Sequence, residues 1–294
     1  MTERDSTDVT PGDSGDPVAD DRRRERARGS LLGLACGDAL GRPVDGSTAA
    51  AVRERHGRVT ELLGGDRPAG TTTDATATAV AAGHARLDGY RSDNGSHEVP
   101  DGDRDAHADR VRPEDPAILL AGVPAGLGPG APAERAEAAA RAVRTVVSGD
   151  VPPEPIAGAV VLAVVVGAFV DGASVEEARA DARTVALDRD APVSVRETIA
   201  VVGDRGAVRI DAGGDPRATL ETALHEALVA DDPEEAIVSA ASRGGAASAL
   251  GAVAGAVAGA RDGEAAVPAR WLNELDGAPD LRRLADALVE DEGP

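Results

Sequence analysis

"SRGGAASALGAVAGAVAGARDGEAAVPARW", residues 242–271, is the stretch that decides how this chain folds. After the Gly244-Gly245 pair, Ala and Gly recur at three- and four-residue spacing, which puts them on one face of a helix. A face without bulky side chains lets the helix backbone come close to a neighbour. The stretch carries no side chain able to act chemically before Arg261. It predicts a helix over about 246–261, followed by another over 268–275.

The same economy of side-chain size runs through the chain. Of 294 residues, 42% are apolar, yet the only aromatics are Tyr90, Phe169 and Trp271. Helix packing therefore has to come from close approach of Ala, Val, Gly and Leu faces. Helical patterns continue at 21–38, 73–88, 132–148, 153–171, 174–189, 192–203, 215–230, 233–242 and 279–290, with Pro and Gly falling mostly between them. Ser47 is the expected N-cap of a short helix ending before Gly57. "ILLAGVPAGLG" (118–128) reads as an irregular buried connection, and "AVRID" (207–211) is a weak strand signal. The predicted architecture is a single compact all-α domain over 21–294. Residues 1–20 form an acidic, disordered tail, and residues 91–115 a hydrophilic flexible insert.

Charge narrows the partners. The chain has 52 acidic residues against 31 basic ones, a net −21, and every basic residue is Arg because Lys is absent. Such a surface suits concentrated salt, where screening removes most self-repulsion. GC-biased codons explain the missing Lys but not the acidic excess. Duplex nucleic acid is an unfavourable partner, since phosphate contacts need clustered positive charge. The one basic cluster, "RRRERAR" (22–28), reads as the solvated face of the first helix. His97 and His107 lie among many Asp residues in the 91–115 stretch, which reads as a solvated loop rather than a metal site. A single cysteine, Cys36, forbids an internal disulfide and fits a reducing cytoplasm. Residues 1–21 hold no apolar signal segment. The longest apolar run, 156–170, is too short for a bilayer helix, so no membrane is expected as a partner.

Two stretches bear chemistry. In "LLGLACGDALGRPVDG" (31–46), Gly37 and Gly41 permit a sharp turn or a close approach, and Asp38 and Asp45 flank it. Asp38 is expected to satisfy backbone N–H groups locally. In "GTTTDATATAVAAG" (70–83), hydroxyls and one carboxylate stand at a helix start, a setting for a cap or for a hard cation.

"GLACGDALGRPVD" (33–45), "GTTTDATAT" (70–78), the small-residue helix after "RGG" (243–245) and "GEAAVPARWL" (263–272) occur in an order that resembles the ADP-ribosylglycohydrolase family, over roughly residues 24–275. The resemblance implies an all-α fold and two magnesium ions that serve hydrolysis of the glycosidic bond joining ADP-ribose to an acceptor. ADP-ribose or an ADP-ribosylated molecule is then the implied partner. Gly37–Gly41 and Pro43 match the family's opening motif, with Asp45 where Glu is usual. In the first metal motif Gly70, Thr73, Asp74 and Thr76 match, while Thr72 replaces Trp and Ala75 replaces the second Asp. In the last metal motif Gly244 and Gly245 match, but Ala246, Ala247, Ser248 and Ala249 stand where Asp-Thr-Asp-Thr is usual. The middle motif retains only Gly122 and Pro124.

Two dications held roughly 3.5–4 Å apart need several carboxylates to offset their repulsion. With three of four motif Asp residues missing, the expectation is a degenerate member, weak or inactive as a hydrolase. Thr73 and Asp74 are its residual metal residues, sufficient for at most one magnesium. The alternatives are an active hydrolase with a rebuilt site, in which Asp45 is the general base, and a structural or partner-binding helical protein. With so few aromatics, an adenine platform is not evident, and Trp271 reads as packing.

Overall fold

The computed structural model describes residues 17–93, 111–147, 149–204 and 214–291. Among them are thirteen α-helices, three short 3-10 helices and no strand. The expected strand at 207–211, most of the acidic tail and most of the 91–115 insert lie outside the described residues. Helix α1 (Pro17–Gly41) starts four residues before the predicted domain boundary. At the 111–115 end of the insert Val111 is buried.

After α1 a 3-10 turn (Arg42–Val44) leads to α2 (Ala49–His56) and then α3 (Asp74–Asp93). The 118–128 stretch is helical rather than irregular. A 3-10 helix (Pro116–Gly122) passes directly into α4 (Val123–Leu127), started by Asp115, whose Oδ1 accepts from Ala117 N at 2.9 Å. There follow α5 (Pro132–Val146), α6 (Pro153–Val170), α7 (Val175–Asp188), α8 (Val193–Val201), α9 (Pro216–Val229), α10 (Pro233–Ala241) and α11 (Ala247–Asp262). After a 3-10 turn (Glu264–Ala266), α12 (Ala269–Glu274) and α13 (Ala278–Glu290) end the fold. Several starts carry side-chain caps: Ser174 with Glu177 for α7, Asp215 for α9 and Asp232 for α10.

The core is organised by α1 lying antiparallel on α11. Gly29, Gly33, Gly37 and Gly41 of α1 face Gly259, Gly255, Gly251 and Ala247 of α11 in register. A Cβ added at Gly33 would lie 2.3 Å from Gly255 O, and one added at Gly255 would lie 2.0 Å from Gly33 O. The helices thus touch backbone to backbone along four successive turns. The small-residue face of 246–261 finds its partner here, in the spacing of four glycines on α1.

Helix α6 is 18 residues long and apolar from Pro155 onward, and 78% of it is buried inside the fold. It packs against α5, α7, the 3-10/α4 stretch and α11. Trp271 is buried, donates from Nε1 to Thr60 O at 3.0 Å, and carries the Arg270 guanidinium 5.1 Å above its ring. That is a packing role, as expected.

The arginines at 22–28 are not a merely solvated face. Arg23 bonds Asp171 and Gly128 O, Arg28 makes a two-pronged pair with Asp286 at 2.7 Å, and Arg24 reaches Glu290. Buried Arg135 shares Asp171 and Gly128 O with Arg23. An acidic chain surrounds its few cations with carboxylates, so its one basic run becomes a row of ties.

Candidate functional site

The turn at 37–48 leaves the C-terminal end of α1 and runs past the N-termini of α3 and α11. Its first acid, Asp38, has no exposed surface. A carboxylate taken out of water must be hydrogen-bonded, and Asp38 is bonded four times. Its Oδ2 accepts from Thr73 N (2.8 Å), Thr76 N (3.0 Å) and Thr76 Oγ1 (2.6 Å), and its Oδ1 from Thr73 Oγ1 (2.7 Å). The expectation of a local role therefore fails: Asp38 satisfies the N-terminus of α3, a segment 35 residues on. Burial pushes its carboxyl above the ordinary carboxylate value, and the bonds from Thr76 and Thr73 act the other way.

Thr73 is correspondingly engaged. Its hydroxyl donates to Asp38 and accepts from Ala75 N at 3.2 Å, which makes it part of the α3 cap. Asp74, the first residue of α3, is exposed. Thr78 Oγ1 donates to Asp74 O at 2.6 Å. Ala75 is buried, so its methyl occupies core rather than facing an open site.

On the other side of the turn, Asp45 Oδ1 accepts from Ser248 N at 3.0 Å, at the start of α11. Asp45 itself is solvent-exposed, yet the protein packed around its carboxyl pushes it above the ordinary value; the N–H of Ser248 opposes this and the charge of Asp115 adds to it. Ser248 Oγ favours the Asp45 anion electrostatically but lies outside hydrogen-bond geometry, buried and without a partner. Two backbone bonds lock the same junction, Gly46 N to Gly245 O and Gly245 N to Ser47 O, both 2.7 Å. Gly244 and Gly245 have φ of +69° and +60°, and a Cβ on Gly244 would lie 2.2 Å from Ser47 O. Because Ser47 gives its carbonyl to this bridge, the α2 cap falls to Thr48, one residue later than expected.

Arg42 is a residue the sequence reading overlooked. Its guanidinium donates to Thr71 O (3.1 Å), Leu63 O (3.1 Å), Pro68 O (3.2 Å) and Asp66 Oδ1 (3.0 Å). It gathers the loop that leads into α3. Its position between Gly41 and Pro43, on the conformationally restricted turn, was the available signal. Gly70 closes the loop with φ +79°, where a Cβ would lie 1.8 Å from Glu274 O. Cys36 is buried, and burial pushes its thiol up to about 12, so it is no nucleophile.

The donor set can be matched against a pair of magnesium ions. Such ions want six oxygens each in near-octahedral array, largely from carboxylates and water. Here Ala75, Ala246, Ala247 and Ala249 contribute methyls, Asp38 and Thr73 are committed to each other, and Asp45 holds the start of α11. Among the described residues no three His, Cys, Asp or Glu side chains gather at one point. These residues do not fit a dinuclear centre. The structure brings Asp45 to α11 and Thr73 and Asp74 to α3, with Asp38 bonded to Thr73 and Asp115 near enough to Asp45 for its charge to be felt.

Comparison with known proteins finds relatives over most of the chain. The profile of the ADP-ribosylglycohydrolase family matches residues 19–114 and 94–294. An uncharacterised protein of Archaeoglobus fulgidus is 27% identical over 90% of this chain and 96% of its own length. The ADP-ribosyl-dinitrogen reductase glycohydrolase of Rhodospirillum rubrum is also 27% identical, over 90% and 96%. A solved chain described as an ADP-ribosylglycohydrolase-related protein complex superposes with a TM-score of 0.71 and 26% identity, covering 92% of this chain and 99% of that one.

Proposed function

The chain belongs to the ADP-ribosylglycohydrolase family, and from that premise we propose that it is a degenerate member, lacking the dinuclear magnesium centre and weak or inactive as a hydrolase. One observation carries the reading. Where the family motifs supply metal carboxylates this chain has Ala75, Ala246 and Ser248, and the acids that remain nearby, Asp38, Asp45 and Asp115, each accept a hydrogen bond from a helix N-terminus. Loss at both ends of the site leaves Thr73 bonded to Asp38 and Asp74 exposed to solvent. The proposed ligand is ADP-ribose or an ADP-ribosylated molecule, held without being cleaved. No reaction step is assigned to Asp45.

The test is direct. With arginine- or serine-linked ADP-ribose as substrate and magnesium present, release is expected to equal that of Asp74→Ala. Titration with magnesium chloride should give no saturable rise in Tm beyond a sodium chloride control of equal ionic strength. Turnover that disappears in Asp74→Ala sinks the proposal, as does a saturable shift at sub-millimolar magnesium.

The net charge of −21 supports a salt-rich cytoplasm as the working environment. Tm is then expected to rise steadily from sub-molar to molar potassium chloride. A monotonic fall over that range contradicts this.

A further inference from the structure

We propose that the turn at 38–48 has become a metal-free clip, in which two carboxylates of the chain, Asp38 and Asp45, join the N-termini of α3 and α11 to the end of α1. This rests on the reading that the site does not assemble a metal pair. It goes further, because it gives the two acids a joint task, the cross-linking of three helix ends.

The geometry supports a clip in three respects. Each helix start presents unpaired N–H groups and a partial positive charge, so a negative oxygen is a natural cap. For α3 that oxygen comes from Asp38, reaching N–H groups of Thr73 and Thr76 at 2.8 and 3.0 Å. For α11, whose own N-cap Ala246 has no side-chain acceptor, it comes from Asp45 at 3.0 Å to Ser248 N. The paired 2.7 Å bonds between residues 46–47 and Gly245 hold Asp45 against α11. Finally, only seven positions separate the two acids, one in the last turns of α1 and the other just past it, so a single rigid segment serves both helices. Both contacts cross long distances in sequence, 35 residues for Asp38 to Thr73 and 203 for Asp45 to Ser248. Such links order the native topology rather than local structure.

The inference changes the part given to Asp45. The sequence suggested a base for an attacking water, but one carboxylate oxygen is taken by the α11 backbone. It acts as a positioning residue, and the charge it contributes is directed at a helix end.

The experiment compares thermal unfolding of the full chain at fixed high salt, with EDTA or with magnesium at matched ionic strength. Wild type should melt within about a degree in both, since no ion contributes to the folded state. Asp45→Ala should lower Tm by about 1–4 °C, the scale of a lost cap in a domain of this size. Asp45→Asn keeps an acceptor and should recover most of that loss, a rescue that no general-base role would give. Asp38→Ala leaves four donors unpaired and is expected to yield little folded protein, so Asp38→Asn provides the measurable variant, with a larger fall than Asp45→Ala. Magnesium should restore neither. The clip is overturned if EDTA alone lowers the wild-type Tm, or if Asp45→Ala and Asp38→Asn melt with wild type. Release of ADP-ribose by a protein whose Tm still depends on Asp38 and Asp45 and ignores EDTA would support the clip while overturning the reading of the site.

Discussion

Gly255→Val is expected to abolish cooperative folding, the largest effect of any single substitution considered. The new Cβ would sit 2.0 Å from Gly33 O and 2.4 Å from Gly33 C, and both are backbone atoms inside α1. No side chain can move aside, so the helices must separate by more than an ångström. Separation at one level also opens the contacts of Gly251 with Gly37 and Gly259 with Gly29, because both helices are rigid. Overpacking in an ordinary core costs about 1–3 kcal/mol. Here the strain propagates over four turns, and about 4 kcal/mol or more is expected, a large part of the roughly 5–15 kcal/mol that holds a domain together. The gain in helix propensity on replacing Gly returns at most about 1 kcal/mol. Circular dichroism melts and soluble yield provide the check. A control in the same chemistry is Gly89→Ala in α3, where an added Cβ meets nothing within 4 Å, and a gain of about 0.5–1 kcal/mol is expected. A wild-type melt for Gly255→Val would mean that α1 and α11 do not meet as described.

The second large effect is a gain. Introducing Ala75→Asp, Ala246→Asp and Ser248→Asp together is expected to create saturable magnesium binding beyond that of the wild type. The three positions flank the N-termini of α3 and α11, beside Asp74 and Asp45. Without metal, the added acids should lower stability, because Ala75 and Ser248 are buried and a buried unpaired carboxylate is costly. With metal the repulsion reverses sign. Tm of the variant should climb with magnesium and saturate, by an amount set by the ratio of magnesium to its dissociation constant; at one hundred times that constant the gain is about 2.7 kcal/mol. Calcium is the useful comparison, as its larger shell accepts less regular geometry. A variant that folds yet ignores both ions would refute the matching of 75, 246 and 248 to metal positions.

The helices were legible because Pro and Gly punctuate the chain between apolar segments, and because "IAGAVVLAVVVGAFV" (156–170) is apolar on every face. The pairing of α1 with α11 was half legible. The glycine and alanine spacing of 246–261 announces a close-packed face, but nothing local says which helix will occupy it. Asp38 was misread for a similar reason. Its neighbours in sequence are apolar, so its partners had to come from elsewhere, and a carboxylate in a buried helix predicts distant donors without naming Thr73 and Thr76. That Ala75, Ala246 and Ser248 carry no carboxylate needed only the sequence. That Thr73 would turn its hydroxyl to Asp38 needed the fold. The arginines at 22–28 look solvated in isolation, and only the approach of α13 and of Asp171 gives them partners.

The glycine contact between α1 and α11 also acts as a ruler. Four-residue steps on both helices mean that a slip of one repeat would carry the turn at 38–48 about 6 Å along α11, well past the reach of any hydrogen bond. Placement of the site is thus read off backbone spacing laid down as far away as Gly29. A scaffold measured in this way keeps its ends aligned whatever chemistry stands there, so its acids can be exchanged for methyls while the distances between helix ends persist.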